Sequence, residues 1–354
     1  MAYTTIDKPT DYFNTLTWTG DGTTKDITGV GFQPDWVWAK KRSATGFHAL
    51  ADSVRGGTKN IFTNSSGAEE TSATDWILSF ASDGFGVNSG GNLNQSSATY
   101  VAWNWLAANG TASNSDGSIT STVSVNTTAG FSIVSYTGTG SNATVGHGLG
   151  VAPSVVITKN RDLSSGGTSN WRVGSTMLGF TKRLNLNTND SVSTDSTTYN
   201  DTDPTSSVFS VGTHGSTNGS TNGIIAYCLA EKKGYSKFGS YTGNGNADGT
   251  LIYTGFKPAW IMIKRTDSTA NWRMIDSKRN SYNILPRTLT ASQNAAEYTG
   301  TDDFGNTDIL SNGFKIRTSY AEANNSSGSY IYLAFAENPF VANDSGTAVP
   351  VVAR

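Results

Sequence analysis

Cysteine is all but absent from this chain: one of its 354 residues is a cysteine, Cys228. No intrachain disulfide can form, so folding does not rest on an oxidising compartment. Cys228 lies in the apolar run 224–229 and reads as a small core hydrophobe. Charge is scarce too. Asp, Glu, Lys and Arg make up 15% of the chain and the formal net charge is −2, against a usual charged share of ~25%. No block of either sign is long enough to build the basic surface that nucleic acid demands. The densest basic sites, Lys40-Lys41 and Lys232-Lys233, read as solvated strand ends. No run approaches the ~18 apolar residues of a membrane span, and Met1–Thr5 carries no charged-then-apolar leader. The expectation is a chain made in the cytoplasm with no secretory signal and no membrane insertion.

Histidine is almost as rare, with three residues, His48, His147 and His214. A hydrolase triad needs a base, yet no histidine recurs at a fixed place, and no Gly-x-Ser-x-Gly elbow leads into a helix. Clustered Cys and His ligands for zinc are missing. Asp201-Thr202-Asp203 could offer oxygens to calcium, but the spacing of a full calcium loop is not there. The carboxylate pairs Glu69-Glu70 and Asp302-Asp303 sit in polar loop sequence and read as solvated. These features predict no enzyme, no cofactor and no metal centre.

What the chain has is glycine (39 residues), many Ser, Thr and Asn, and 11% aromatic residues. That is the composition of short strands joined by tight turns, and the aromatics argue against disorder. It also has a repeat. Trp18-Thr19-Gly20-Asp21-Gly22 returns as Tyr136-Thr137-Gly138-Thr139-Gly140 and as Tyr241-Thr242-Gly243-Asn244-Gly245. A proline follows each copy, 16, 17 and 17 residues after the aromatic (Pro34, Pro153, Pro258), and a lysine stands 6 residues beyond each proline (Lys40, Lys159, Lys264). Phe85, Phe209 and Phe314 lie 51, 56 and 56 residues past the prolines, and closing aromatic-apolar runs begin at Tyr100, Ile224 and Tyr330. Four anchors in register make one design used three times. The period exceeds a solenoid repeat of ~20–50 residues, so each copy is long enough for a core of its own.

The predicted fold is all-β: three tandem homologous β-sandwich units, jelly-roll-like, at 12–108, 131–231 and 235–340. A polar N-terminal arm (1–11), a linker with a candidate strand near 118–125 (109–130) and a C-terminal tail (341–354) complete it. In the third unit strands are expected at 238–243, 251–254, 259–265, 271–276, 307–310, 313–318 and 329–336. In 259–265 both parities are apolar, so this strand should be covered on both faces. Tyr-Thr-Gly-Asn-Gly places Gly243 and Gly245 around Asn244, a residue that tolerates positive φ, so a strand entering a tight turn or bulge is expected there. A phosphate-cradling reading of that loop fails because no helix follows it. Candidate glycan or partner contacts are Trp36, Trp171 and Trp272, since an aromatic face beside amides and carboxylates suits a sugar. The competing reading places these tryptophans in cores. Trp171-Arg172 and Trp272-Arg273 share a dipeptide where the first copy has Phe47-His48, and that mismatch favours the core.

Three stretches carry a family likeness: Tyr136–Gly140 with Val145-Gly146-His147-Gly148-Leu149, the run Asp116–Val123, and Tyr235–Gly245. Together they resemble a repeat domain common in virion proteins of marine bacteriophages, cyanophages included. The likeness spans about 12–340. It implies a virion structural protein made in the host cytoplasm and does not say which part of the particle. With no long stalk of fibrous repeats and no separate tail-anchoring domain in the sequence, the expectation is a head decoration or surface knob on the particle exterior. A receptor-binding tail fibre or lectin-like module touching a host-surface glycan is the alternative. The implied partners are other capsid or tail proteins. Three similar units would suit a local threefold axis and a homo-oligomer such as a trimer. The family supplies no catalytic residues.

Overall fold

A computed structural model describes residues 4–90, 92–162, 169–280, 282–299, 305–342 and 349–350. Those residues form an all-β protein of several antiparallel sheets. Helix is confined to single turns, Pro9–Asp11, Ser196–Tyr199, Gly215–Asn218 and Ala321–Asn324.

Three sheets are large and share one strand order. In the N-terminal segment, Phe13–Thr19 pairs with Thr99–Trp105, then come Trp36–Lys41, His48–Asp52, Lys59–Phe62 and Glu70–Thr71. In the middle segment the same order runs Phe131–Thr137, Gly223–Leu229, Val155–Asn160, Arg172–Ser175, Lys182–Asn185 and Ser193–Thr194. Two linker strands, Ser121–Asn126 and Ala112–Asn114, extend that sheet outside Phe131–Thr137. The C-terminal segment repeats it as Ser236–Thr242, Ser329–Pro339, Phe256–Arg265, Arg273–Asp276 and Leu289–Thr290. A small sheet accompanies each large one. These are Lys25–Thr28 with Gly84–Val87 and Ile77–Ala81, then Ala143–Gly146 with Val208–Val211, then Leu251–Tyr253 with Gly313–Ile316 and Thr307–Leu310.

Side-chain parity explains the layering. Along Phe256–Arg265, Ile261 and Ile263 enter a cluster with Phe314 and Ile309 of the accompanying small sheet. Trp260 and Met262 point the other way, into a cluster that also holds Trp36, Trp38, Trp103 and Trp105 of the N-terminal segment and Ile157, Trp171 and Tyr227 of the middle one. Both faces are therefore covered, as the apolar parity requires. The same division holds in the other two segments, which keep their own clusters around Phe85 and around Phe209. Rings interleave across segments: Trp36 stacks on Tyr227 at 4.6 Å, Trp105 meets Trp260 edge-on at 5.7 Å, and Phe13 stacks on Phe335 at 5.3 Å.

The seven strands expected in the C-terminal segment are found within a few residues of their expected limits; Leu289–Thr290, two residues without a pattern, was not legible. The expected linker strand starts later, at Ser121. Ile119 instead makes an isolated parallel bridge to Val145.

The repeated turn is held by a residue the motif does not contain. Asn94, Asn218 and Asn324 are fully buried. Asn218 Nδ2 donates to the Ser141 and Gly212 carbonyls, and its oxygen accepts from the Thr139 N–H at 2.7 Å. Asn324 and Asn94 hold the other two turns in the same way. The first glycine of each copy admits this close approach: a Cβ on Gly20, Gly138 or Gly243 would lie 2.1, 2.3 or 2.3 Å from a carbonyl oxygen. The second glycine takes the positive φ, +75°, +76° and +68° at Gly22, Gly140 and Gly245. The positive φ of the third copy thus falls on Gly245, while the Asn244 N–H and side chain are engaged with Asn324. Replacing Gly138 with alanine should lower stability by about 1–3 kcal/mol in urea denaturation. Gly110→Ala, at a position with nothing within 4 Å, should change it little.

Candidate functional site

The three tryptophans expected to be surface contacts are interior residues. Trp36 is 2% exposed, and Trp171 and Trp272 are 0% exposed. Trp36 is stacked between Phe131 and Tyr227. No ring face is left for a sugar, and the glycan assignment of these residues is corrected to a core role. Lys40 and Lys41 are corrected as well: both are buried, not solvated strand ends, whereas Lys233 is exposed. Glu69 is held in a buried ion cluster described below, while Glu70 is exposed. Asp302-Asp303 lie outside the described residues. No group of three or more metal-ligating side chains occurs among the described residues, and Asp203 accepts from the Phe180 N–H. His147 is buried, its Nδ1 accepting from the Leu149 N–H and its Nε2 lying 3.2 Å from the Thr205 oxygen. Cys228 is buried, and burial pushes its thiol well above the usual range.

What the structure brings together is a ring of three seams between segments. The backbone plan is the same in each. The Glu69 N–H donates to the Arg161 oxygen, Glu297 to Arg42 and Val192 to Thr266, at 2.9, 2.8 and 2.9 Å. A ring from one segment also reaches the neighbouring sheet. Trp171 Nε1 donates to the Phe62 oxygen at 2.9 Å and Trp272 Nε1 to the Asn185 oxygen at 2.8 Å. His48 holds the third such position, opposite Lys40, with its ring set against the Thr290 backbone. Register aligns His48, and not Phe47, with the two tryptophans. Phe62, Asn185 and Thr290 are themselves equivalent, each paired to the residue after the ring.

Side chains divide the seams into two kinds. Between the middle and N-terminal segments, Tyr227 OH donates to Asp52 at 2.7 Å; Asp52 pairs with Arg55, Arg55 with Glu69, and Glu69 with Arg161. Between the N- and C-terminal segments the chain repeats. Trp103 Nε1 donates to Asp276 at 3.0 Å; Asp276 pairs with Arg279, Arg279 with Glu297, and Glu297 with Arg42. Between the C-terminal and middle segments the same five positions are Leu333, Ser175, Leu178, Val192 and Thr266, with no charge among them. Burial works against the guanidinium of Arg55, but Asp52, Tyr227 and Glu69 outweigh it and leave the group above its ordinary range. Arg279 follows the same balance through Asp276 and Glu297. A buried charge survives only with its partners, so these positions change as sets. Spacing offered the one sequence clue, an Asp-x-x-Arg at 52–55 and again at 276–279.

The three repeated lysines are interior as well. Lys40 Nζ donates to the Lys41 oxygen, Lys159 Nζ to the Asn160 oxygen and Lys264 Nζ to the Ala270 oxygen, each at 2.7 Å. Lys40 and Lys264 also reach across their seams to the Asn294 and Asn189 oxygens. Burial lowers Lys40 and Lys159 to about 7 and Lys264 to about 8. At the surface, one cavity of about 390 Å³ lies on the N/C seam among Arg42, Ser43, Thr99, Arg287 and Glu297.

A family model described as Domain of unknown function (DUF7483) matches residues 8–339. The chain belongs to this family. The match runs through all three large sheets and every seam, so the family's domain is the whole ring and not one segment of it. No curated protein and no solved structure matches the chain. Among the described residues of this family member, no helix is long and apolar enough to cross a membrane.

Two expectations follow. Asp276→Asn takes from the buried Arg279 one of its two carboxylates and leaves it Glu297, and should cost about 3 kcal/mol. A fivefold variant copying the neutral seam (Trp103→Leu, Asp276→Ser, Arg279→Leu, Glu297→Val, Arg42→Thr) should cost less than that single change in the same denaturation series. The second concerns pH. The folded chain sheds the lysine protons near 7 to 8, whereas the unfolded chain holds them to about 10.5. The unfolded state then binds more protons across this window, so stability rises with pH. Between pH 7 and 9 it should climb by at least roughly 1 kcal/mol, and Lys40→Met should flatten the rise. A denaturation midpoint that falls over this interval would mean the lysines stay charged when folded.

Proposed function

We propose that this chain is a structural protein of a bacteriophage particle, displayed on its exterior as a capsid decoration or surface knob. In this reading the three segments are tandem homologous β-sandwich units, at 12–108, 131–231 and 235–340, fused into one rigid block. The ring of seams carries the proposal. Its tryptophans, Lys40 and Lys264, and its buried Asp-Arg-Glu sets are all committed to holding one segment against the next. The chemistry left for function is on the outer surface, which suits a building block that contacts neighbouring capsid proteins and takes part in no reaction. Three pseudo-equivalent outer faces suit a local threefold position on a particle, and a trimer of the chain would multiply them. The sequence likeness to virion proteins of marine bacteriophages supports the particle assignment.

A second reading has its own observation. The cavity lined by Arg42, Arg287 and Glu297 with the hydroxyls of Ser43, Thr99 and Thr299 offers hydrogen-bonding groups to a sugar, its arginines already paired with Glu297, as a receptor-binding tail fibre or lectin-like attachment module requires. Electron microscopy of particles with and without the protein separates the two. Extra density on the head supports decoration, and density on the tail supports attachment. A protein missing from purified particles ends both. Saturable binding on a glycan array, lost in Arg287→Glu, would favour attachment.

A further inference from the structure

Each segment contains the same edge strand, and the three edges meet solvent differently. In the N-terminal segment the edge is Lys25–Thr28, with exposed Asp26 and with Lys25 paired to Asp21 at 2.7 Å. Charge of this kind blocks strand addition. In the middle segment the edge is Ala143–Gly146, and the chain's own linker covers it. Ile119 N–H donates to the Thr144 oxygen at 3.0 Å, the Thr144 N–H donates to Ser118 Oγ at 2.9 Å, and Ser121 Oγ donates to the Gly146 oxygen at 2.8 Å. The Ile119 side chain fills the segment's core beside Val145.

The third edge, Leu251–Tyr253, has neither device. It carries no charge, and Leu251 and Tyr253 are 58% and 61% exposed. The ladder to Gly313–Ile316 uses the backbone of Thr250 and Thr254, which bond to Ile316 and Asn312. By the alternation of an antiparallel pair, the backbone groups of Leu251 and Tyr253 face off the sheet. Leu251 is the counterpart of Thr144, since Ile252 and Val145 pair with the equivalent Phe314 and Phe209. No linker is free to cover it: Leu229 ends one sheet and Ser236 begins the next. The edge also opens onto a cavity of about 490 Å³ between Tyr253–Gly255 and the junction at Glu231–Lys237.

We propose that Leu251–Tyr253 is a strand-addition site for an extended segment of another protein. Its chemistry is that of the segment on the matching middle edge: a β-branched aliphatic residue flanked by serine and threonine, uncharged where it pairs. Backbone hydrogen bonds to Leu251 would supply affinity, and the aliphatic side chain beside Ile252 would supply selectivity. This site stands apart from the particle assignment and survives its failure.

The probe is a fluorescent peptide of residues 116–123, Asp-Gly-Ser-Ile-Thr-Ser-Thr-Val, titrated with the full chain by anisotropy. Saturable binding is expected. It should weaken at least about tenfold in three cases: when the Ile119 amide of the peptide is N-methylated, when that isoleucine becomes aspartate, and when the protein carries Leu251→Lys with Tyr253→Asp. Both protein positions are exposed, so the thermal unfolding of that variant should match the parent. No saturable signal, or equal binding of the N-methylated peptide, overturns strand addition. Sedimentation tests the other occupant: a parent chain that self-associates, and a variant that does not, would put a second copy on this edge and overturn the assignment to a different protein.

Discussion

The constraint on which the rest depends is that the three large sheets have almost no solvent face. Each is covered on one side by its small sheet or by its own loops, and on the other by the two remaining large sheets. A sheet so enclosed cannot alternate polar and apolar residues. Trp260-Ile261-Met262-Ile263 is what that enclosure looks like in sequence. It also makes polar groups on the inner side depend on partners inside the protein, which the Trp36, Trp105 and Trp260 ring N–H groups do without. Lys40, Lys159 and Lys264 turn to backbone carbonyls, and the aspartates and arginines of two seams form closed sets.

The neutral seam makes the energetics concrete. Its backbone bridge, from the Val192 N–H to the Thr266 oxygen, has the same length as the Glu69–Arg161 bridge. The join is therefore fixed by backbone and shape, and the charges decorate it. Buried ion pairs contribute little beyond well-packed apolar groups of similar size, yet losing one member is costly. A seam can be all ionic or all neutral, and a mixture is the unstable case. Leu333, Ser175, Leu178, Val192 and Thr266 have no charge left between them, which is the second of these solutions.

Much of this was legible in the sequence and some was not, for physical reasons. The repeat was visible because the Thr-Gly-x-Gly turn and the Pro-to-Lys spacing answer to local geometry, and each segment needs that geometry separately. The double-faced strand was visible because parity is a local property. Seams were hidden because their partners are far apart in the chain (Trp103 and Asp276, Asp52 and Tyr227) and because the residue types differ from seam to seam. Lys40 misled because two adjacent lysines usually mean solvent, and here the strand end is roofed by the neighbouring segment. Trp36, Trp171 and Trp272 misled in the same direction: residues fit for a sugar are equally fit for a core, and only burial separates the two uses. Asn94, Asn218 and Asn324 were missed as a set, although they recur in register and hold the very turn that revealed the repeat.

The shared aromatic cluster also bears on how the protein is made. Trp36, Trp38, Trp103 and Trp105 are all polymerised by residue 105, but Trp260 and Phe335, which cover them, lie far downstream. At ordinary speeds of translation roughly 10 to 50 s separate the two events. During that interval the nascent chain presents a tryptophan-rich surface that only the middle segment, through Phe131 and Tyr227, can begin to close over. The first segment can reach its native sheet, yet it cannot become dry until the last one leaves the ribosome, so maturation is gated by the carboxyl end.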